Sequence, residues 1–466
     1  MVDRILNRKS LLIWSTVSAV LYASLGILMY MMDLTVPHIV VYVLLGITTM
    51  IGLLYFGREG TRIRFEWKQA LLIAFLGWFL ITCIARIFIH QADFVYYHSE
   101  IILDTAVLVF LIFPLGYVLA REEKVPKCLK IIPHLVLLGW SIFMLVVLIA
   151  IFQGKVIYTA NGGMIGMQKY QFLYLNCYYN TTGMWEVVFV PACFYMLLKS
   201  KPIWMKTVYG LACLINFAIL TLSNSRTATY SVMIGLTAMC GIGVYSLLKH
   251  KKNMQRILFG VAAGAGMLLM TYLLRKGFFE LYWYAARSFA GDGILQITGK
   301  IRDLSDSSFS TFTGRTDIWK YSIQGMFNLA RNAVFGVSPA GVIPTITEIS
   351  NGKWKDVYTH NQFLEIGLAN GVVGLGIFIA WFALVVRDMW RMVFVRKEKT
   401  VLLCIPVMIL TLALANFFEA TLVYYGFISS YAFFFLCGIL HGKTNLPVTV
   451  RVKNRHQRRR NASGRR

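Results

Sequence analysis

Apolar runs of about 20 residues, each long enough to cross the roughly 30 Å hydrocarbon layer as a helix, recur from Leu11 almost to the C-terminus. Hydropathy places them near 11–31, 35–56, 69–89, 101–120, 131–152, 184–198, 206–222, 227–248, 257–274, 363–386, 400–418 and 421–440. The pattern predicts an all-α polytopic membrane protein of about twelve transmembrane helices, with no room for a separate soluble domain. The first ten residues are basic like the leading region of a signal peptide. The apolar segment behind them is too long and lacks a small-residue cleavage site, so it reads as a retained first span.

The polar connections between these runs fall into two alternating kinds. One kind is cationic: Arg4, Arg8 and Lys9; Arg58, Arg62, Arg64 and Lys68; Arg121, Lys124, Lys127 and Lys130; Lys199, Lys201 and Lys206; Lys251, Lys252 and Arg256. Arg387, Arg391, Arg396, Lys397 and Lys399 continue the series, and the tail beyond residue 450 ends it. Lys and Arg collect on the cytoplasmic side, so these segments and both termini are expected inside.

The other connections, near Asp33, at 92–99, 153–183, 223–225 and 275–361, are then extracytoplasmic. Structureless loops beyond roughly 15 residues are uncommon unless they work for a living, which singles out 275–361, between the ninth and tenth spans. Within it 278–286 (FFELYWYAA) reads either as an interfacial helix or as an extension of the ninth span. Trp319, Ile323, Met326, Phe327 and Ala330 recur at helical spacing with Thr316 as candidate cap, which sets Arg315 at a helix N-terminus. One membrane domain over 1–441 and a basic cytoplasmic tail over 442–466 complete the division.

Composition agrees with a bilayer as solvent: 58% of the 466 residues are hydrophobic and 14% charged, against roughly a quarter charged in ordinary soluble domains. The net charge of +25 does not point to nucleic acid, because the basic residues sit in alternate loops rather than on one surface. The eight cysteines are scattered without CxxC spacing and read as small core hydrophobes. Metal-binding, Walker and nucleophile-elbow motifs are absent from the expected outer segments, so the chemistry is expected to need neither metal nor cofactor.

Three outer features carry candidate chemistry. Ser225-Arg226-Thr227 lies between two spans, Gly314-Arg315-Thr316-Asp317-Ile318-Trp319 in the long loop, and His360-Asn361 opens the tenth span. A guanidinium makes bidentate, charge-assisted hydrogen bonds to phosphate and stays protonated, so Arg226 and Arg315 are candidates to hold a diphosphate, Arg315 with help from helix N–H groups. Arg226 as a snorkelling helix end and Arg315 as a solvated loop charge are the plainer readings. His360 is a candidate general base for an acceptor hydroxyl, or a structural interfacial histidine. Glu365 and Glu419, acids in apolar surroundings, either orient an Arg or His or cap a helix. Arg86 in the third span and Lys169 in the 153–183 segment are further candidates for lipid phosphate.

In their order along the chain these residues resemble the bacterial O-antigen ligase and polysaccharide polymerase family, which pairs an SRT-type turn with a large outer loop ending in an HN motif. The matching positions are Ser225-Arg226-Thr227, Gly314 to Trp319 with Gly336, and His360-Asn361 followed by Glu365-Ile366-Gly367 and the Gly371 and Gly374 pair, within 205–385. The resemblance implies a GT-C-like fold in the bacterial cytoplasmic membrane. It also implies a metal-independent, inverting transferase whose donor is an undecaprenyl-diphosphate-linked glycan and whose acceptor is a glycan, lipid or protein hydroxyl. By position, Arg226, Arg315 and Arg86 would bind the diphosphate, His360 would activate the acceptor, and Ser225, Asn361 and Glu365 would support them. Polymerase and ligase differ only in the acceptor. A lipid-linked glycan flippase or secondary transporter is the rival from another class, although no half-repeat is visible.

Overall fold

The computed structural model describes residues 8–32, 38–60, 67–90, 95–122, 125–158, 164–168, 172–175, 179–248, 250–290, 314–395, 400–424 and 428–445. Lys169, Cys177, residues 291–313 of the expected outer loop and the tail from 446 lie outside the described residues.

The apolar runs fold as helices because a backbone in hydrocarbon must satisfy its own hydrogen bonds. In chain order these are α1 (Arg8–Met32), α2 (His38–Gly60), α3 (Trp67–His90), α4 (Val95–Val107), a π turn at Leu108–Ile112 leading into α5 (Phe113–Arg121), and α6 (Lys127–Phe152). Then come α7 (Tyr179–Lys199), α8 (Ile203–Leu222), α9 (Arg226–Leu247) and α10 (Asn253–Ala290). Beyond the long connection lie α11 (Arg315–Phe327), α12 (Ala330–Phe335), α13 (Pro339–Ile349), α14 (Gln362–Trp390), α15 (Cys404–Asn416) and α16 (Ile428–Thr444). Among the described residues the hydropathy windows fall on these helices to within a few residues, except the last, 421–440, which opens in a turn at 421–424 while its helix begins at Ile428. Among the described residues, eight helices are long and apolar enough to cross a membrane, so the chain is a multi-pass membrane protein.

Three further corrections to the sequence-based expectation are needed, and one alternative that it left open is settled. The 153–183 connection is not all loop: Ile157–Tyr158, Met164–Gln168 and Phe172–Leu175 (β1 to β3) form an antiparallel meander. Leu173 and Leu175, two apart on β3, are fully buried, the period-2 pattern of a half-buried strand. Of the two readings of 278–286 the extension holds: α10 runs through Arg275 and 278–286 to Ala290, with Tyr282 and Ala285 buried and Tyr282 in one apolar cluster with Leu222 and Ile219 of α8. The cap expected at Thr316 is instead Gly314 (φ 80°), which makes Arg315 the first helical residue. Finally, α16 continues past 442 to Thr444, the expected start of the tail.

Two packing devices hold the bundle. Helices α5 and α16 cross backbone to backbone: a Cβ at Gly438 would lie 2.1 Å from the Phe113 carbonyl oxygen, and one at Gly116 would lie 2.2 Å from that of Phe435. Small residues permit such approach where lipid offers no hydrophobic drive between helices. At the end opposite the site described next, Lys68 of α3, Asp388 of α14 and His441 of α16 form a buried charged network, with Lys68 bonded to both partners. A buried charge persists only when paired in this way.

Candidate active site

The 223–225 turn, the start of α11 and the starts of α14 and α16 converge at one end of the bundle. Their meeting point is Glu419, in the turn between α15 and α16, whose side chain is fully buried. Its Oε1 accepts from Arg315 Nη2 at 2.5 Å, while Oε2 accepts from Tyr358 Oη at 3.0 Å and lies 3.0 Å from His360 Nδ1. Arg315 Nη1 also donates to Thr227 Oγ1 at 3.0 Å, which ties α11 to the first turn of α9 beside Arg226.

Local sequence sets each of these groups. Asn361 is the N-cap of α14: its Oδ1 accepts from Phe363 N at 2.9 Å and Leu364 N at 3.0 Å, meeting N–H groups that the helix itself cannot satisfy. Its Nδ2 donates to the Phe417 carbonyl at 2.9 Å, so one side chain joins the His360 turn to the Glu419 turn. Fully buried Glu365 accepts from Thr359 Oγ1 at 2.7 Å and Thr359 N at 3.1 Å, and Gln362 Oε1 accepts from Leu422 N at 2.8 Å. These bonds hold His360 in the left-handed region (φ 50°), where a non-glycine residue rarely rests unless its surroundings fix it. The Tyr358 and His360 rings lie 4.3 Å apart.

The electrostatics follow from this clasp. Burial opposes ionisation of Glu419, but the hydrogen bond and charge of His360, the charge of Arg315 and the Tyr358 hydroxyl outweigh it and hold the carboxyl below its usual 4.5. Burial first, and then the Glu419 charge, push the Tyr358 phenol well upward, so it remains a donor. In the neutral ring, a carboxylate facing Nδ1 places the one ring proton on Nδ1 and leaves the lone pair on Nε2. At the exposed rim Asp317 and Lys353 pair at 2.9 Å, which lowers the acid and raises the amine.

Arg226 is the first residue of α9, and its Nη2 is shielded from solvent without a hydrogen-bond partner among the described residues. Ser225 is the N-cap but makes no capping bond; its Oγ lies 3.3 Å from Asn180 Oδ1 of α7, in a turn that docks on Gly183. Arg86 lies at the far end of α3, where a Cβ on Gly341 of α13 would come within 3.6 Å of its Nε.

Thus Arg315, His360, Asn361 and the Ser225–Arg226–Thr227 turn come together, and Glu365 braces the His360 turn through Thr359. Tyr358 carried no sequence signal. Glu419 stood out only as an acid among apolar residues, and of the roles open to it the clasp of both Arg315 and His360 is the one it fills. Residues 211–379 match the O-antigen ligase family. The match takes in Arg226, Arg315, His360, Asn361 and Glu365, while Arg86 and Glu419 lie outside it. No curated protein matches the chain.

Proposed function

On the match of residues 211–379 to the O-antigen ligase family, we propose that the chain serves surface polysaccharide assembly as an inverting glycosyltransferase of GT-C-like architecture. Its donor is an undecaprenyl-diphosphate-linked glycan on the outer face of the bacterial cytoplasmic membrane, both termini being cytoplasmic. The observation that carries this reading is the Glu419 clasp, which joins the Nδ1 side of a histidine to a guanidinium that is bonded in turn to Thr227, next to a second arginine.

His360 Nε2 takes the proton of the acceptor hydroxyl while the acceptor oxygen bonds to the anomeric carbon from the face opposite the diphosphate. The bond from that carbon to the diphosphate oxygen breaks, and its electron pair leaves with the diphosphate. Arg226 Nη2 and the N–H groups that Arg315 does not spend on Glu419 and Thr227 meet the developing charge. Glu419 holds the imidazole in the required tautomer and stabilises the imidazolium that forms, the part an aspartate plays in a catalytic triad. The base supplies roughly 10²- to 10⁴-fold, and positioning with leaving-group stabilisation supplies the remainder. Arg86 extends the cationic surface toward the lipid phosphate.

Polymerisation of repeat units is favoured over ligation, since it needs no outer-membrane acceptor. A flippase or transporter would find support in the break of α14 at Gly371 (φ 66°, ψ −175°), as broken helices mark ion sites in transporters. Here, however, the carbonyls of Leu368 and Ala369 beside the break already accept from Val337 N and Ser338 N at 2.8 Å each.

The test is to express the His360→Ala and Arg226→Ala variants in a strain lacking this gene and to follow surface glycan and lipid-linked intermediates. Normal membrane levels with lost glycan and lipid-linked units accumulating outside support transfer. A ladder collapsed to one repeat indicates polymerase, and polymer stranded on the carrier indicates ligase. Wild-type glycan from both variants overturns the residue roles, and units trapped on the inner face point to a flippase.

A further inference from the structure

We propose that the chain between α11 and α13 is re-entrant: it leaves the site, dips into the hydrocarbon of the leaflet on that side, and presents Leu329, Val334 and Phe335 to lipid chains. Charge patterning alone puts all of this segment in water.

Depth is read from α3. Its membrane window runs from Lys68 to Arg86, and Trp78 is ten residues from the first and eight from the second. At 1.5 Å per residue that sets Trp78 roughly 15 Å from one boundary and roughly 12 Å from the other. The Phe335 ring stacks on Trp78 at 5.3 Å and 10°. Trp78 Nε1 donates to the Asn370 carbonyl at 2.9 Å, and a Cβ on Gly336 would fall 2.3 Å from the Ala369 carbonyl. Side chain and backbone therefore agree that 335–336 lies level with the middle of α3, below the Cα of Arg86. By Gly341 the chain is back beside Arg86.

Non-helical backbone survives at that depth only if protein satisfies it. The 336–338 segment meets this condition through the break in α14. Gly371 ends the regular hydrogen bonding, and the Leu368 and Ala369 carbonyls accept from Val337 N and Ser338 N. The fit is close on both sides, since a Cβ on Gly371 would lie 2.2 Å from the Val334 carbonyl oxygen. The broken helix and the re-entrant turn are one device.

The occupant of the outer surface follows from depth and composition. Val334 is 41% exposed, Phe335 40% and Leu329 44%, and Phe327 and Ile323 continue the apolar face upward along α11 toward Arg315. A surface of this kind at this level meets acyl chains, not water. Arg331, the exposed cation of α12, precedes Phe335 by about one helical turn and lies within electrostatic reach of Arg86, and a side chain of this length can snorkel from such a position.

Two measurements test this. In a background with the eight native cysteines replaced, Val334→Cys and Lys353→Cys are exposed to a membrane-impermeant charged maleimide in intact membranes. Lys353→Cys, at the rim, should react freely. Val334→Cys should react on the order of tenfold or more slowly, since a charged reagent must enter hydrocarbon, and should recover after denaturation. In the unmodified protein, reconstituted in phosphatidylethanolamine and phosphatidylglycerol vesicles carrying an acyl-chain diazirine, photolabel should map to 327–335 and spare 350–358. Equal maleimide rates at both positions, or equal photolabelling of both peptides, would overturn the proposal. Neither readout depends on transfer activity.

Discussion

Glu419 Oε2 lies 3.0 Å from His360 Nδ1, so the carboxylate and the histidine act as one unit although they come from different connections of the bundle. The pair gives the imidazole a fixed tautomer and a counter-charge, and both are lost when the carboxylate is made an amide. Glu419→Gln should lower transfer roughly 10²- to 10⁴-fold with donor binding largely kept, measured as polymer formed from purified lipid-linked donor.

The same carboxyl sets an acid limit on stability. Its folded pKa is depressed, so the stabilisation it brings is complete above its unfolded value near 4.5 and drains away as pH falls through the lower folded value. Thermal unfolding of the purified protein should therefore be insensitive to this group from neutral pH down to the ordinary carboxylate range. Below that range the wild type should lose stability more steeply than Glu419→Gln; parallel profiles would argue against an ionised clasp.

Arg315 and Arg226 should separate in their stability effects. Removing Arg315 strips a buried carboxylate of its cation, which typically costs 3 to 5 kcal/mol, so Arg315→Ala should unfold at a clearly lower temperature. Arg226 Nη2 has no hydrogen-bond partner among the described residues to abandon, and Arg226→Ala should melt like the wild type while losing activity. Arg226→Lys should recover only part of it, because an ammonium lacks the planar fork. Thermal shift beside a donor-dependent rate assay decides between these outcomes.

Asn361→Ala removes a helix cap and the bridge to the Phe417 carbonyl together. The cap alone is worth about 1 kcal/mol, and loss of the bridge frees His360 to leave its strained φ. Stability should fall modestly and the transfer rate more, whereas Asn361→Asp should keep the cap and lose only the bridge.

What the sequence made legible had local causes. Spans were visible because apolar runs match the bilayer, and Arg226, Arg315 and His360 because a polar group just outside an apolar run is costly enough to stand out. Glu419 lies 59 residues beyond His360 in a short turn of no motif, so its role as the hub came from tertiary packing alone. Thr316 had the chemistry of a cap, but Gly314 tolerates φ 80° and moved the helix start ahead of it. The extension of α10 stayed one of two open readings because Arg275, Lys276 and Glu280 suit the end of a span as well as the interior of a longer helix. Its buried aromatics pack on neighbours that a one-dimensional window does not see.

The network at the opposite end has a consequence for biogenesis. Lys68 and Asp388 are 320 residues apart, so at 5 to 20 residues per second the ribosome takes roughly 16 to 64 s to deliver the carboxylate after the lysine has emerged. During that interval α3 carries a cation with no anion, and it must wait at the headgroups or in the insertion machinery. That end of the bundle therefore closes last, when α14 and α16 arrive, and nascent chains halted before residue 388 should show α3 still within reach of a crosslinker on the translocon.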